Sequence, residues 1–417
     1  MSRPRSRRLR PRRLRIVVSI AAVTTVLAAC DTSGPGVASP SPTRGPAASS
    51  FSASSFSVSS PAVASSSVAR AALPAAPACA VPVLSRMSLR QKISQLIMVG
   101  VTGSADAAQV VRDEQVGGIF IGSWTDKSIL TGGGVRRISG SAPIPLMVAV
   151  DQEGGRVSRL SALGIDSPSA RELAASRSPA QVRTLAASIG RRLKRLGITV
   201  DFAPDADVSD ESSNDVIGDR SFSNDPHVVA RYAGAFADGL REAGIMPVFK
   251  HFPGHGHGSG DSHLGVVRTP PLSSLVTSDL VPYKTLLRDQ GAGVRPGVMV
   301  GHLIVPGLTG SQTPSSISGA AMGMLRTGKP YGGPAFDGVV FSDDLSGMAA
   351  ISARYPIEQA AVMSIRAGAD IALWITTEHV SLVVDALARA VAGGTLPLAR
   401  VERSVVRILR AKGVLHC

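Results

Sequence analysis

Apolar positions along the chain gather into short, nearly unbroken runs. Eight recur: Leu96 to Val101, Gly118 to Gly122, Leu146 to Val150, Thr199 to Ala203, Met246 to Phe249, Val298 to His302, Val339 to Ser342 and Ile371 to Ile375. A strand that is apolar at successive positions is buried on both faces, the pattern of a parallel sheet covered by helices. Between the runs lie stretches of helical periodicity, among them Ala180 to Leu196, Val228 to Ala243, Ile357 to Ala367 and Val380 to Ala392. This alternation predicts βα units. Eight of them predict an α/β fold of the TIM-type (β/α)8 barrel, a single catalytic domain with its site at the carboxyl ends of the strands. A doubly wound open sheet is the alternative arrangement of the same units.

The barrel makes a specific demand, that polar groups cluster just after the strands. Strand three runs into Asp151, with Glu153 and Arg156 following, and strand four has Asp201 near its start and Asp205 and Asp207 beyond it. Strand five ends in Lys250 and His251, strand six in His302, and strand seven in Asp343 and Asp344. An isolated Asp after a strand is usually a helix cap, but polar residues at five strand ends imply a pocket.

The amino terminus changes the picture of charge. The first fifteen residues hold eight arginines and no acid, and Ile16 to Ala29 is an apolar run of fourteen. That is too short to span a bilayer and has the shape of a signal peptide. It ends in Leu27-Ala28-Ala29-Cys30, which resembles the bacterial lipobox, so Cys30 is the expected lipidation site. Arg12-Arg13 leaves twin-arginine export open beside the general route. Residues 1–29 are therefore read as a lipoprotein signal peptide, residues 30–78, rich in Ser, Ala and Pro, as a tether, and residues 79–417 as the folded domain. Removing the leader lowers the formal +14 to about +6, so the basic balance belongs mostly to the signal and nucleic acid is excluded as a partner. The expected attachment is to the outer face of the cytoplasmic membrane, by lipid. The two remaining cysteines, Cys79 and Cys417, bracket the domain; in an oxidising compartment they either close its ends with a disulfide or stay as two free thiols.

The segment Lys250 to His263, KHFPGHGHGSGDSH, concentrates four of the eight histidines and four glycines. The glycines leave the backbone free, so the segment can act as a lid. Asp261 and His263 sit two apart, and a carboxylate beside an imidazole fixes its tautomer and makes a proton shuttle near neutral pH. The histidine spacing matches no standard zinc pattern, and no Lys-Ser or Lys-Thr closes the glycine run as a phosphate loop requires. No metal and no organic cofactor is implied. The apolar strand VVFSDDL delivers Asp343 fixed and partly desolvated, as a carboxylate nucleophile needs. A carboxylate facing a proton donor across a sugar is the arrangement for glycosidic cleavage with retention.

These residues resemble glycoside hydrolase family 3, and within it the single-barrel β-N-acetylglucosaminidases, over about residues 86 to 413. The resemblance lies in KHFPGHG followed by DSH at Asp261 to His263, in FSDDL at Phe341 to Leu345, in DQEGGRVSR at Asp151 to Arg159, in DFAPDADV at Asp201 to Val208 and in GDRSF at Gly218 to Phe222. The resemblance implies that Asp343 is the nucleophile, that His263 is general acid and then base, and that Asp261 orients it. It further implies that Asp151, Arg159, Arg220, Lys250 and His251 bind the sugar, with His302 as lining. After SDDL the chain departs from the family by placing Gly347 between Ser346 and Met348, and His257 occupies a variable position of the loop.

The implied activity is that of a retaining exo-β-N-acetylglucosaminidase acting on GlcNAc–MurNAc fragments of peptidoglycan, with water or phosphate as acceptor. Two alternatives stay open. A family 3 β-glucosidase usually takes its acid/base from a second domain, which this chain has no room for; a non-catalytic sugar-binding lipoprotein would need neither Asp343 nor the Asp261–His263 pair. The oligomeric state is not legible, a monomer being the default.

Overall fold

The computed structural model describes residues 76–288 and 293–416. The expected signal peptide, the lipidation site Cys30 and nearly all of the expected tether lie outside the described residues, as does Cys417. Cys79, at the start of the folded part, is disulfide-bonded.

Eight parallel strands close into a barrel: β1 (Ile97–Gly100), β2 (Gly118–Ile121), β3 (Met147–Val150), β4 (Val200–Asp201), β5 (Met246–Phe252), β6 (Gly297–Val300), β7 (Val340–Asp344) and β8 (Ile371–Trp374). Neighbours in sequence are neighbours in the barrel, and β8 returns to β1 with Met98 opposite Leu373. Each observed strand overlaps one of the eight apolar runs, and the pairing of β8 with β1 makes the barrel, and not the open sheet, the architecture.

Two strands differ most in length from the reading of the sequence, for physical reasons. The apolar run of strand five stops at Phe249, yet β5 continues through Lys250 and His251 to Phe252. Their side chains enter the polar mouth of the barrel, where charge is compensated. Strand four is only Val200–Asp201, because the chain then bends inward and pairs next at an isolated bridge between Asp205 and Lys250.

The helices form where local chemistry starts and stops them. Pro179–Arg195 (α1) opens with a capping box of Ser178 and Gln181 and ends in Arg192, Lys194 and Arg195, cations suited to the negative end of a helix. Pro226–Glu242 (α2) is capped by Asp225. Gly319–Thr327 (α3), Ile357–Ala367 (α4), Val380–Ala392 (α5) and Leu398–Ala411 (α6) complete the later part of the shell. Inside the barrel Phe120, Phe202 and Phe341 meet ring to ring, with centroids 5.6 and 5.3 Å apart. This apolar plug closes the barrel beneath the strand ends and leaves their polar residues at one mouth.

Candidate active site

The carboxyl ends of the strands surround a cavity of about 900 Å³. Its walls include Asp151, Arg159, Arg220, Lys250, His251, Asp261, His263 and Asp343, so every expected catalytic and sugar-binding residue faces one space. His302 does not.

The floor is a compensated network of charges. Lys250 Nζ lies 2.7 Å from Asp151 Oδ1 and 2.5 Å from Glu153 Oε1. Arg220 grips Glu153 with two parallel hydrogen bonds of 2.9 Å, the bidentate geometry that a guanidinium favours. Burial pushes the Glu153 carboxyl up, but Arg220 and Lys250 more than offset it and hold the group well below the carboxylate range. Burial likewise pulls at Lys250, while Asp151 and Glu153 keep its ammonium charged. Glu153, Asp205 and Asp207 are functional parts that the resemblance did not single out, although their position after strands three and four marked them.

Asp205 and Asp207 build the wall behind His251. The His251 ring meets Asp207 Oδ2 through Nδ1 at 2.7 Å, while the amides of His251 and His255 donate to Asp207 Oδ1. A carboxylate can only accept, so Nδ1 carries the proton and Nε2 is left for Arg220 and the cavity, 3.5 Å from the guanidinium. Burial, reinforced by Arg220, lowers the imidazole to about 4. His251 is therefore a neutral hydrogen-bonding group at neutral pH. Burial and the neighbouring Asp207 raise the Asp205 carboxyl well above its ordinary value. Asp205, Asp207 and His251 stand close enough to share an ion; Asp207 Oδ2 is engaged by His251 Nδ1, whereas Asp205 Oδ2 is buried without a hydrogen-bond partner, with the Arg220 guanidinium 3.5 Å away as its nearest positive charge.

The two adjacent aspartates of β7 have different jobs. Asp344 turns back to its own loop and accepts from the Ser346 amide and hydroxyl and from the Gly347 amide, at 2.8 to 2.9 Å. A Cβ on Gly347 would stand 2.4 Å from Asp344 Oδ2, so the glycine that departs from the family pattern is what lets this loop close over the carboxylate. Asp343 faces the cavity, only 6% exposed. Burial would raise its carboxyl, but His251, His302, the Asp344 amide and Lys250 bring it below the usual value, and it stays an anion. His302 stands behind it: Nε2 donates to the Asp344 carbonyl at 2.7 Å and Nδ1 meets Ser316 Oγ at 2.6 Å. It braces the strand end and does not line the cavity, a correction to the resemblance.

The loop after β5 carries the remaining pair. Asp261 Oδ1 accepts from the His263 amide at 2.8 Å and from ring Nδ1 at 2.9 Å. Burial pushes Asp261 up, yet these bonds lower it below the ordinary carboxylate value. The His263 side chain is 61% exposed, and with Nδ1 engaged its Nε2 is free for proton exchange. The loop is docked against the segment that follows β7: the Ala350 amide donates to the Ser262 carbonyl at 3.0 Å.

Two of the loop's glycines have a different reason from the freedom expected of a lid. A Cβ at Gly256 would stand 1.9 Å from the Val208 carbonyl, and one at Gly254, where φ is +132°, 2.3 Å from Asp279; both permit close approach of the loop base to the barrel rim. His257, at a variable position of the family pattern, is tied to buried Asp279 at 2.9 Å. Asp279 raises its imidazole above the ordinary value. At the mouth, Trp124 and Leu264 are 44% and 84% exposed, an apolar rim that the sequence patterns did not mark.

A family model, the glycosyl hydrolase family 3 N-terminal domain, matches residues 88–411. The β-hexosaminidase LpqI of Mycobacterium tuberculosis is 56% identical over 339 residues, covering 81% of this chain and 86% of that protein, and its structure superimposes with a TM-score of 0.77. A family 3 glycosyl hydrolase from Mycobacterium smegmatis is 53% identical with a TM-score of 0.77, covering 80% of this chain and 99% of that one. A family 3 β-N-acetylglucosaminidase from a Paenibacillus strain is 32% identical over 79% of this chain and 62% of its own, with a TM-score of 0.71. The chain belongs to glycoside hydrolase family 3 and is a glycoside hydrolase.

Proposed function

We propose that the protein is a retaining exo-β-N-acetylglucosaminidase that removes terminal β-linked GlcNAc from GlcNAc–MurNAc fragments of peptidoglycan. The observation that carries the reading is the pairing of a buried, ionised carboxylate, Asp343, with an exposed imidazole held by Asp261, both on one cavity whose floor is a network of ion pairs. The relatives named β-hexosaminidase support the sugar.

In the first step Asp343 attacks the anomeric carbon while His263, protonated on both nitrogens, gives its Nε2 proton to the leaving oxygen. The imidazolium is stabilised by Asp261 at Nδ1, and the product is a glycosyl ester on Asp343. In the second step neutral Nε2 takes the proton of the incoming hydroxyl, which attacks the same carbon and frees the carboxylate. A histidine in this role is uncharged between the steps, so phosphate is admissible as acceptor beside water. Asp151, Arg159, Arg220, Lys250 and His251 offer the donors and acceptors that orient sugar hydroxyls and the N-acetyl group. The arginine-rich, apolar leader and Cys30 support export and lipid attachment outside the cytoplasmic membrane.

Aryl release from an aryl β-N-acetylglucosaminide tests the reading, with the aryl β-glucoside compared at equal concentration. Asp343→Ala is expected to lower kcat by about 10⁴-fold or more, and His263→Ala to slow release from substrates with poor leaving groups most. Full activity in either variant sinks the mechanism. Preference for the glucoside would make the protein a β-glucosidase, and binding without release a sugar-binding lipoprotein.

A further inference from the structure

The opposite end of the barrel holds a second cavity, of about 710 Å³, between α3, the segment before β7, the end of α4 and the start of α6. Five guanidiniums line it, those of Arg326, Arg366, Arg400, Arg403 and Arg407, with Asp337 as the acid among its lining residues. The buried Asp370 lies behind the wall. It binds Arg326 at 2.5 Å, Arg407 at 3.4 Å and Arg400 at 3.5 Å, while Asp337 takes Arg407 at 2.8 Å.

This arrangement sets five guanidiniums against two carboxylates. Three of them converge on Asp370, with Arg326 and Arg400 also donating to backbone carbonyls, while Arg403, partly buried, and Arg366, exposed to solvent, make no ion pair among the described residues. Arg403 has its Nε buried without a hydrogen-bond partner. Burial, with repulsion from Arg326, Arg407 and Arg403, presses Arg400 down to about 10 against the pull of Asp370. A structural ion-pair network needs no such excess of positive charge, and like charges brought together repel. The cavity also takes in Pro397 and Ala399, at the N-terminus of α6, whose first turn contains no acid. Met322 and Phe336 supply an apolar wall.

We propose that this cavity is a second, non-catalytic binding site for a phosphate-bearing organic anion. Planar guanidiniums in excess match the several oxygens and multiple charge of a phosphate, which a single carboxylate does not supply. The cavity is far larger than inorganic phosphate, and its apolar side accommodates the organic part. No group of the catalytic cavity takes part, so the site is independent of the glycosidase mechanism.

The test uses the full folded domain and two probes, pyrophosphate and phosphatidylglycerol vesicles. Calorimetric titration with pyrophosphate is run at constant ionic strength with saturating N-acetylglucosamine, which blocks the active site. The double variant R366Q/R403Q leaves the three partners of Asp370 in place; without anion it is expected to be at least as stable as the parent, because repulsion is relieved. Pyrophosphate should bind the parent and raise its Tm more than equimolar sulfate, and the double variant should bind about tenfold or more weakly. R191Q/R389Q, on exposed or partly exposed helix positions elsewhere, should bind as the parent does. Binding of pyrophosphate assigns a soluble phosphate compound; binding only to vesicles, lost in R366Q/R403Q, assigns a lipid headgroup. Unchanged binding in R366Q/R403Q, or no binding to either probe, overturns the proposal.

Discussion

Two histidine–aspartate pairs bracket the segment after β5, and they are nearly superposable as hydrogen bonds. His251 meets Asp207 through Nδ1 at 2.7 Å, and His263 meets Asp261 through Nδ1 at 2.9 Å. Their surroundings differ entirely. The His251 side chain is 7% exposed beside Arg220, and burial drives its imidazole to about 4. His263 stands in solvent at the cavity mouth. The same pair of side chains is therefore a fixed neutral donor–acceptor in one place and, in the other, an exposed pair for which we propose a proton-carrying role. Position relative to water, more than the pair itself, decides the chemistry.

The largest effect that can break this comparison is kinetic. His263→Gln should lower kcat by about 10² to 10⁴-fold and remove one limb of the pH–rate profile, as loss of a general acid and base does. His251→Gln should appear mainly in KM and leave both limbs in place. If the two variants give the same pH profile, the division of labour is wrong.

A second test addresses the buried pair through stability. The folded pKa of His251 lies below the unfolded value of about 6.5, so the unfolded chain binds the proton first. Its contribution is complete above about pH 6.5 and is lost as the pH falls towards about 4, by a few kcal/mol. Denaturant unfolding at several pH values should show the parent losing this increment, and His251→Gln lacking that part of the slope. Equal slopes would mean that the ring is not held neutral by burial.

The smallest effect concerns the intermediate case, His257 with Asp279. Here the folded pKa is raised, chiefly by the hydrogen bond to Asp279. The attachment is complete below about pH 6.5 and weakens as pH rises through the folded value. Limited proteolysis between residues 254 and 263 should distinguish Asp279→Asn from the parent at pH 6, and the difference should shrink at pH 9. A difference that grows with pH would refute the ion pair.

Some of this was legible without coordinates. Unbroken apolar runs report burial on both faces, so the eight strands could be counted, and parallel order follows because helices separate them. Asp343 and the Asp261–His263 pair were legible because their neighbours in sequence, a strand end and a glycine-rich loop, are also their neighbours in space. Glu153 and Asp207 were visible only as polar residues after strands. Their partners, Arg220 and His251, come from other βα units, 67 and 44 residues away, and no local pattern encodes such a pairing.

The order of hydrophobic and polar residues determined the barrel and the end at which its polar residues gather, since burial and strand direction are properties of short segments. Tertiary structure alone decided that the Asp344 carboxylate is tied to Ser346 and Gly347, that His302 braces a strand end, and that five arginines from α3, α4 and α6 converge at the far end. Each of those outcomes depends on distances and on desolvation, which arise only when segments far apart in the chain are packed together.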